Sequence, residues 1–159
     1  MAAYRAAIGR AQPVGHFVND RFGAYTMVHC AETRAKAVAN GAFESVRWWY
    51  YSLATLTLEW EGALWSAQER ADRFPYMEKI ARGDFNVEEF DREDMVLVGN
   101  PDQLIRKIER YEEIGIDNLL CYIQFGGLPH EHIMQSIGLM GKHVIPHFAK
   151  GDKSGVAVG

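Results

Sequence analysis

Hydrophobic residues along this chain form three short continuous runs, and each run is followed by a stretch with helical periodicity. The runs lie near residues 22–30, 95–99 and 117–125 and are rich in β-branched and aromatic side chains. Strands that are apolar without alternation are buried on both faces, which is typical of parallel sheets covered by helices. The pattern therefore predicts an α/β fold with three parallel strands, each followed by a helix.

The first two helical stretches have recognisable limits. After the first run, apolar residues recur every three or four positions from Glu32 to about Leu58, which predicts one long helix. After the second run, Asn100 can cap a helix, Pro101 suits its first position, and Gln103 supplies the far half of a capping box. The sequence therefore predicts a well-defined helix start at Asn100.

The remaining segments complete one domain over residues 1–150. A last helix is expected to open at Pro129 and to close at Pro146, because its apolar residues step by three and four between these prolines. Residues 59–94 are more charged and hold only short apolar clusters, which predicts an irregular or partly helical insertion. Residues 151–159 are expected to form a flexible tail.

Composition indicates an ordinary globular protein. The 159 residues are 48% hydrophobic and 24% charged, which is enough for one domain with a sizeable core. The formal net charge is -4, with basic residues scattered among acidic ones, so we expect no nucleic-acid partner. No apolar run reaches the ~18 residues of a membrane span, and the amino terminus lacks the apolar core of a signal peptide. We therefore expect a cytoplasmic protein that does not bind membranes.

Cysteine and metal chemistry find little support. Cys30 and Cys121 each lie in an apolar run, where a thiol behaves as a small buried hydrophobe and not as a nucleophile. Two cysteines also exclude a disulfide framework. His143 and His147 have the spacing of a metal-binding pair, but Pro146 interrupts the turn between them and no carboxylate follows at a ligand spacing. We expect no metal site.

Two further segments receive structural interpretations. The aromatic segment RWWYYS, residues 47–52, is interpreted as core or interface, although Trp48 and Tyr51 lie on a different part of a helix from Trp49 and could face a substrate. The charged segment DREDM, residues 91–95, is interpreted as a solvated approach to the second strand.

The third apolar run ends in the segment QFGG, where functional groups gather in parallel α/β folds. Gln124 offers an amide donor and acceptor, Phe125 an aromatic surface, and Gly126 and Gly127 allow close backbone approach or a positive φ. The helix start at Pro129 adds unpaired N–H groups, which favour an anion. A tight strand-to-helix turn would also explain both glycines, so a binding site and a simple turn both stay open.

The segment from VGNPDQ to QFGGLPHE resembles the last two βα units of the luciferase-like flavin-dependent monooxygenases. In that family a V-G-x-P segment precedes a helix, an aliphatic strand follows G-[IV]-D, and F-G-G-[LM]-P-H-E opens the last helix. Upstream, YTMVHCAETRAKAVANGAFESVRWWYY is similar to the family's sixth strand and helix. The resemblance covers roughly residues 4–148 and implies the carboxyl-terminal half of a (β/α)8 TIM barrel.

The resemblance also implies a reaction and a site. Family members oxidise an organic substrate with O2 and reduced flavin, so the expected cofactor is FMN supplied by a separate reductase, with a deazaflavin left open. The resemblance identifies no catalytic residue. The positions that match the family pattern would wall one side of the flavin or substrate pocket: His29 at the end of the first strand, and Gln124, Phe125, Gly126, Gly127, Pro129, His130 and Glu131 after the third.

The chain departs from the family in its length. Family members are considerably longer, and the first five barrel strands, which carry most of the flavin-phosphate contacts, have no counterpart here. Two hypotheses follow: a half-barrel fragment or subunit of an FMN monooxygenase, or an inactive relative that acts as a structural or oligomerising module. In both, we expect a homodimer or a partner chain with the first half of the barrel, because one sheet face would otherwise lie open. That face would carry Met27, Val96, Val98, Leu120 and Tyr122.

Overall fold

The structure, a computed structural model, describes residues 2–13, 15–60, 65, 66, 68, 69, 72, 79, 80, 82–84 and 86–149. Part of the predicted insertion 59–94 and the whole predicted tail 151–159 lie outside these residues. Strands and helices alternate along the described chain. In order they are α1 (Ala2–Ile8), β1 (Gly23–Cys30), α2 (Arg34–Ala39), α3 (Ala42–Trp60), α4 (Val87–Arg92), β2 (Leu97–Gly99), α5 (Pro101–Glu113), β3 (Asn118–Tyr122), α6 (His130–Leu139), a π-helical turn (Met140–Val144) and α7 (Ile145–Ala149).

The three strands form a small parallel sheet, which confirms the predicted α/β class. β1 is the longest strand and pairs on both sides: its first part runs beside β3 and its last part beside β2. The strand limits differ from the predicted runs by at most three residues, as is usual for element ends. The sheet order is β2-β1-β3.

This order differs from the one that a contiguous piece of a barrel would have. A (β/α)8 barrel places consecutive strands side by side, so the last three would have β2 in the centre. In the described sheet β1 is central. Its residues 28–30 pair with β2 on one edge, and its residues 23–27 pair with β3 on the other.

Apolar side chains fill both sides of the sheet because successive residues of a strand point to opposite faces. On one face, Met27 and Val98 pack with residues of α3 and α4. On the other face, Val28 and Leu97 pack with residues of α5 and the π-helical turn. Helices therefore cover most of the parallel sheet on both faces, as continuous apolar strands require.

The prediction of an open sheet face is wrong for most of that face. Met27, Val96 and Val98 are fully buried, because α3 and α4 pack over them. This packing could not be predicted from the sequence, because the apolar stripe of a helix does not indicate which face of the sheet the helix covers. Leu120 is 53% exposed, and Tyr122 is half-buried.

The single long helix predicted from Glu32 onward is two helices. Gly41 has a φ of 84°, in the left-handed region, and ends α2 in the way glycine commonly ends helices. The N–H of Asn40 bonds the Lys36 carbonyl and the N–H of Gly41 bonds the Val38 carbonyl. The apolar periodicity continued across this break, so periodicity alone did not reveal it.

The last helical stretch does not close at Pro146. The wider π-helical turn follows α6, and Pro146 is the second residue of α7. A proline is tolerated in the first turn of a helix, where the N–H that it lacks has no intrahelical partner. The helical path therefore continues to Ala149.

The predicted start of α5 is confirmed. The Gln103 N–H donates to the Asn100 side chain at 2.9 Å, and the Asn100 N–H donates to the Gln103 side chain at 3.1 Å. With Pro101 at the first position, these bonds complete the capping box.

Among the helices of the described residues, none has the length and apolar character needed to span a membrane.

Candidate functional site

The carboxyl ends of the strands lie at one edge of the sheet, because all three strands run parallel. Cys30 at the end of β1 pairs with Gly99 at the end of β2. β3 ends at Tyr122, and the chain continues through residues 123–129 to α6. α6 packs against this end of β1, where the Cys30 N–H donates to the buried Ser136 hydroxyl at 2.8 Å. This edge carries the residues that the sequence singled out.

Gly126 makes the tight part of the QFGG turn. Its φ is 59°, and a Cβ at this position would lie 2.7 Å from the Ser45 Cβ and 2.9 Å from the Ser45 Cα. Both features require glycine, so the turn interpretation is right for Gly126. A Cβ on Gly127 would meet no atom within 4 Å. The backbone at Gly127 is therefore open to another molecule.

The two side chains of the QFGG segment have opposite environments. Gln124 is exposed, so its amide is accessible to a ligand. Phe125 is 1% exposed and packs in the core with Met27 and Val46. The Phe125 ring therefore supports the turn from beneath and offers no free face to a ligand.

His29 is completely buried at the end of β1, with 0% of its surface exposed. Asn40, which follows α2, places its amide nitrogen 3.0 Å from the His29 Nε2. Burial, together with the nearby His132, lowers the pKa of His29 to about 4. His29 is therefore a neutral imidazole inside the protein, without direct access to a cofactor.

The start of α6 carries the remaining positions of the predicted site. Pro129, His130 and Glu131 are exposed, and His132 is half-buried with its Nε2 3.8 Å from the Glu131 carboxylate. Within the described ranges, no group of three or more His, Cys, Asp or Glu side chains is arranged to hold a metal ion. The exposed residues of α6 thus adjoin Gln124 and Gly127 along the chain.

The thiols lie in surroundings that suppress reactivity. Burial, with a smaller contribution from Glu32, raises the pKa of the Cys30 thiol to about 12. Burial also raises the pKa of Cys121, which is half-buried. Thiolates are the reactive form, so neither residue is set up as a nucleophile.

A buried ionic network joins α2, α4 and α5, and the prediction of a solvated DREDM segment is wrong at its first residue. Asp91 is 3% exposed. Its carboxylate accepts hydrogen bonds from Arg34 at 2.7 Å, from Lys107 at 2.7 Å and from the Val98 N–H at 3.2 Å. The spacing of Asp91 after Val87, at i+4 on the buried side of α4, is the signal that could have revealed it.

The aromatic segment RWWYYS divides between core and surface. Trp49 packs against the core cluster, whereas Trp48 and Tyr51 are exposed on the outer side of α3. With Glu44, Arg47 and Gly83, these two rings line an open groove of about 300 Å³. The groove lies on α3 and not at the carboxyl edge of the sheet.

A sequence model of the family described as luciferase-like monooxygenase matches residues 1–118 of the chain. This range is the greater part of the sequence and contains β1 and β2. The chain belongs to the luciferase-like monooxygenase family. The recognition made from the sequence is therefore confirmed, although the match ends before the QFGG turn.

A solved structure similar to this member of the luciferase-like monooxygenase family is that of another monooxygenase. The chain is 20% identical to the monooxygenase RslO1 from Streptomyces bottropensis, with a TM-score of 0.37. The alignment covers 85% of this chain and 51% of RslO1, so the chain spans about half the length of that protein. No curated protein matches the chain. The family assignment rests on the sequence match alone.

Proposed function

We propose that this luciferase-like monooxygenase chain is one part of an FMN-dependent monooxygenase that oxidises a small organic substrate with O2. The family match over residues 1–118 carries the proposal. The exposed positions Gln124, Gly126 and Gly127 can cover only one side of a flavin. The other side would come from a second copy or from a chain that supplies the missing strands, and a separate reductase would deliver reduced FMN.

The exposed part of the QFGG turn fits the polar edge of a flavin ring. The Gln124 amide can donate and accept hydrogen bonds, which matches the alternating carbonyl and N–H groups of that edge. The open side of Gly127 lets a ring approach the backbone. Phe125 and His29, which are buried, do not fit direct contact. In this proposal they hold the turn and the strand end in place behind the flavin.

Bound reduced flavin would supply the activation of O2, and the protein would supply binding, orientation and the exclusion of water. Gln124 would orient the ring edge, and the backbone at Gly126 and Gly127 would set its distance from the sheet. Closing a barrel also requires a change in the sheet, because β3 would leave β1 and pair with β2. The half-barrel therefore forms, in this proposal, when the partner strands bind.

A second candidate function is an inactive relative that acts as a structural or oligomerising module. The burial of Met27, Val96 and Val98 beneath α3 and α4 favours it. These side chains face the interior of a barrel in the half-barrel interpretation, and here helices of the same chain occupy that space. Because helices of the same chain already cover this face of the sheet, its burial requires neither a cofactor nor partner strands.

Titration of the chain with FMN, with its native mass measured in the same buffer, tests the proposal. We expect weak binding, with a Kd on the order of tens of micromolar or weaker, because one wall cannot recover the ordering cost of the ligand. Gln124→Ala should weaken binding by about fivefold, the worth of one hydrogen bond. Gln12→Ala, in the segment between α1 and β1, is the matched control and should leave the Kd unchanged.

Two results would overturn the proposal. No binding of FMN at millimolar concentration by the folded chain would favour the structural module. A nanomolar Kd with a monomeric mass would show that this chain forms a complete pocket, which contradicts the requirement for a partner.

A further inference from the structure

Two imidazoles, one at the end of β1 and one in the first turn of α6, have ring nitrogen atoms without hydrogen-bond partners among the described residues. His29 accepts a hydrogen bond at Nε2 from the Asn40 amide at 3.0 Å, so the proton of the neutral ring is on Nδ1. The His29 Nδ1 and the His132 Nδ1 are both buried, and neither has a hydrogen-bond partner among the described residues. Buried polar atoms are nearly always paired, so this arrangement asks for an explanation.

The charged side chains of the neighbouring segments do not accept the Nδ1 proton of His29. They are Glu32 after β1, Arg34 of α2, Asp91 of α4, and Glu131 of α6, whose carboxylate lies 3.8 Å from the His132 Nε2. The Asp91 carboxylate is engaged by Arg34 and Lys107, and Glu32 is engaged by Gln135. From β2, the residue in register with His29 is the apolar Val98. A proton added to His29 would therefore find no carboxylate partner in the described part of the chain.

Protonation would also disturb the contact that already exists. A charged imidazole donates from both nitrogens, so its Nε2–H would point at the Asn40 amide nitrogen, which is itself a donor. Burial and the nearby His132 lower the pKa of His29 to about 4, in agreement with this geometry. His29 is thus built to stay neutral as long as its surroundings remain closed.

We propose that His29 is a pH-responsive latch, which holds the start of α6 and the QFGG turn against the end of β1 while its imidazole is neutral. α6 is fastened to β1 at the same place by the bond from the Cys30 N–H to Ser136, and Ile133 of α6 lies in the core. Separation of α6 from β1 would expose His29 to water and let it bind a proton. The latch goes beyond the proposed function, since it needs no flavin.

The direction of the effect follows from the two pKa values of His29. The closed state has a pKa of about 4 and the open state the ordinary value of 6.5. The open state therefore binds the proton more tightly, and the closed state loses stability as the pH falls from 6.5 towards 4. Above 6.5 the imidazole is neutral in both states and the latch is at full strength.

Amide hydrogen exchange over residues 125–136 measures the opening of the latch. After correction for intrinsic exchange rates, we expect the open population of this segment to rise by about 20-fold between about pH 7 and about pH 5, as the two pKa values require. The amides of α5 should not show this extra rise. Exchange over residues 125–136 that is independent of pH after correction would overturn the proposal.

Two substitutions separate protonation from simple loss of structure. His29→Gln keeps an acceptor for Asn40 but has no titrating group, so its exchange should lose the pH dependence. His130→Gln alters an exposed histidine on the same turn of α6 and should keep it. A His29→Gln protein that retains the full pH dependence would overturn the latch.

An NMR pH titration of the imidazole resonances in the native chain is an independent test of the latch. It applies even if His29→Gln does not fold. A His29 that stays neutral down to about pH 5 in the Nδ1–H form supports the latch. A His29 that titrates near 6.5 in the folded protein contradicts it.

Discussion

Asp91 illustrates how a single side chain can join several elements. Its carboxylate lies on α4 and bonds Arg34 of α2, Lys107 of α5 and the backbone of β2. Lys107 is itself 9% exposed and also contacts the Asp91 and Val96 carbonyls. Removing one member of a buried ion pair leaves the other charge without compensation, which is more harmful than the absence of both.

Asp91→Ala should therefore lower the free energy of unfolding by about 3–5 kcal/mol. Lys107→Met should cost less, because it fills similar space and leaves Asp91 paired with Arg34. Urea unfolding followed by circular dichroism measures both changes. The double variant should cost less than the sum of the single variants, since the two side chains form one network.

Arg92→Ala is the matched control for this network. Arg92 neighbours Asp91, but it is exposed and lies 3.8 Å from Glu89. An exposed pair of this kind contributes little, so we expect a change of less than about 0.5 kcal/mol. Similar losses for Arg92→Ala and Asp91→Ala would contradict the assignment of Asp91 as a buried anchor.

At the scale of elements, the connection from β3 to α6 depends on one of its two glycines. Gly126 combines a φ of 59° with a close approach to Ser45, whereas the space around Gly127 is open. Gly126→Ala should lower the free energy of unfolding by about 1–3 kcal/mol, the cost of a residue held in an unfavourable backbone region. Gly127→Ala should be close to neutral, and urea unfolding measures both changes. Equal effects would show that the turn adapts freely.

Local signals predicted the elements that depend on neighbouring residues. The capping box at Asn100 and the positive φ of Gly126 are both properties of a few consecutive positions, and the structure has both. The break at Gly41 and the continuation past Pro146 were missed, because a stripe of apolar residues does not register a change of helix geometry. Element existence was therefore predicted better than element limits.

The candidate site was predicted less completely, because its character depends on contacts between distant segments. His29 lies at the end of β1, as the sequence predicted, whereas β3 already ends at Tyr122 and Phe125 lies in the loop that follows it. Their burial is caused by α3, α2 and α6, which pack on them from other parts of the chain. The same reason explains why the buried pairing of Asp91 with Lys107, and the central place of β1, could not be inferred from spacing.

At the scale of the whole molecule, association remains a prediction. Tyr25 and Leu120 are in register on β1 and β3, and each is 53% exposed. The outer side of β3 bears no proline or lysine within Asn118–Tyr122 that would discourage pairing with another chain. A symmetric homodimer is the simplest assembly that would cover this surface.

Sedimentation at micromolar concentration should therefore give about twice the chain mass of 18.0 kDa. Leu120→Lys should shift the distribution towards the monomer, because it places a charge in the apolar surface. Phe17→Lys, which changes an exposed apolar residue outside the sheet, should not. A monomeric native chain would contradict the prediction and leave the sheet edge uncovered.

The central position of β1 has a consequence for how the protein is made. The start of β1 pairs with the start of β3, which lies 95 positions later in the sequence. The end of β1 pairs with β2, which is also synthesised much later. Chain growth on the ribosome is vectorial, so the first strand emerges long before either neighbour exists. During that interval its apolar residues are available to chaperones or to other nascent chains. Synthesis rate and chaperone supply, more than the stability of the finished fold, should then govern how much of the protein reaches its native state.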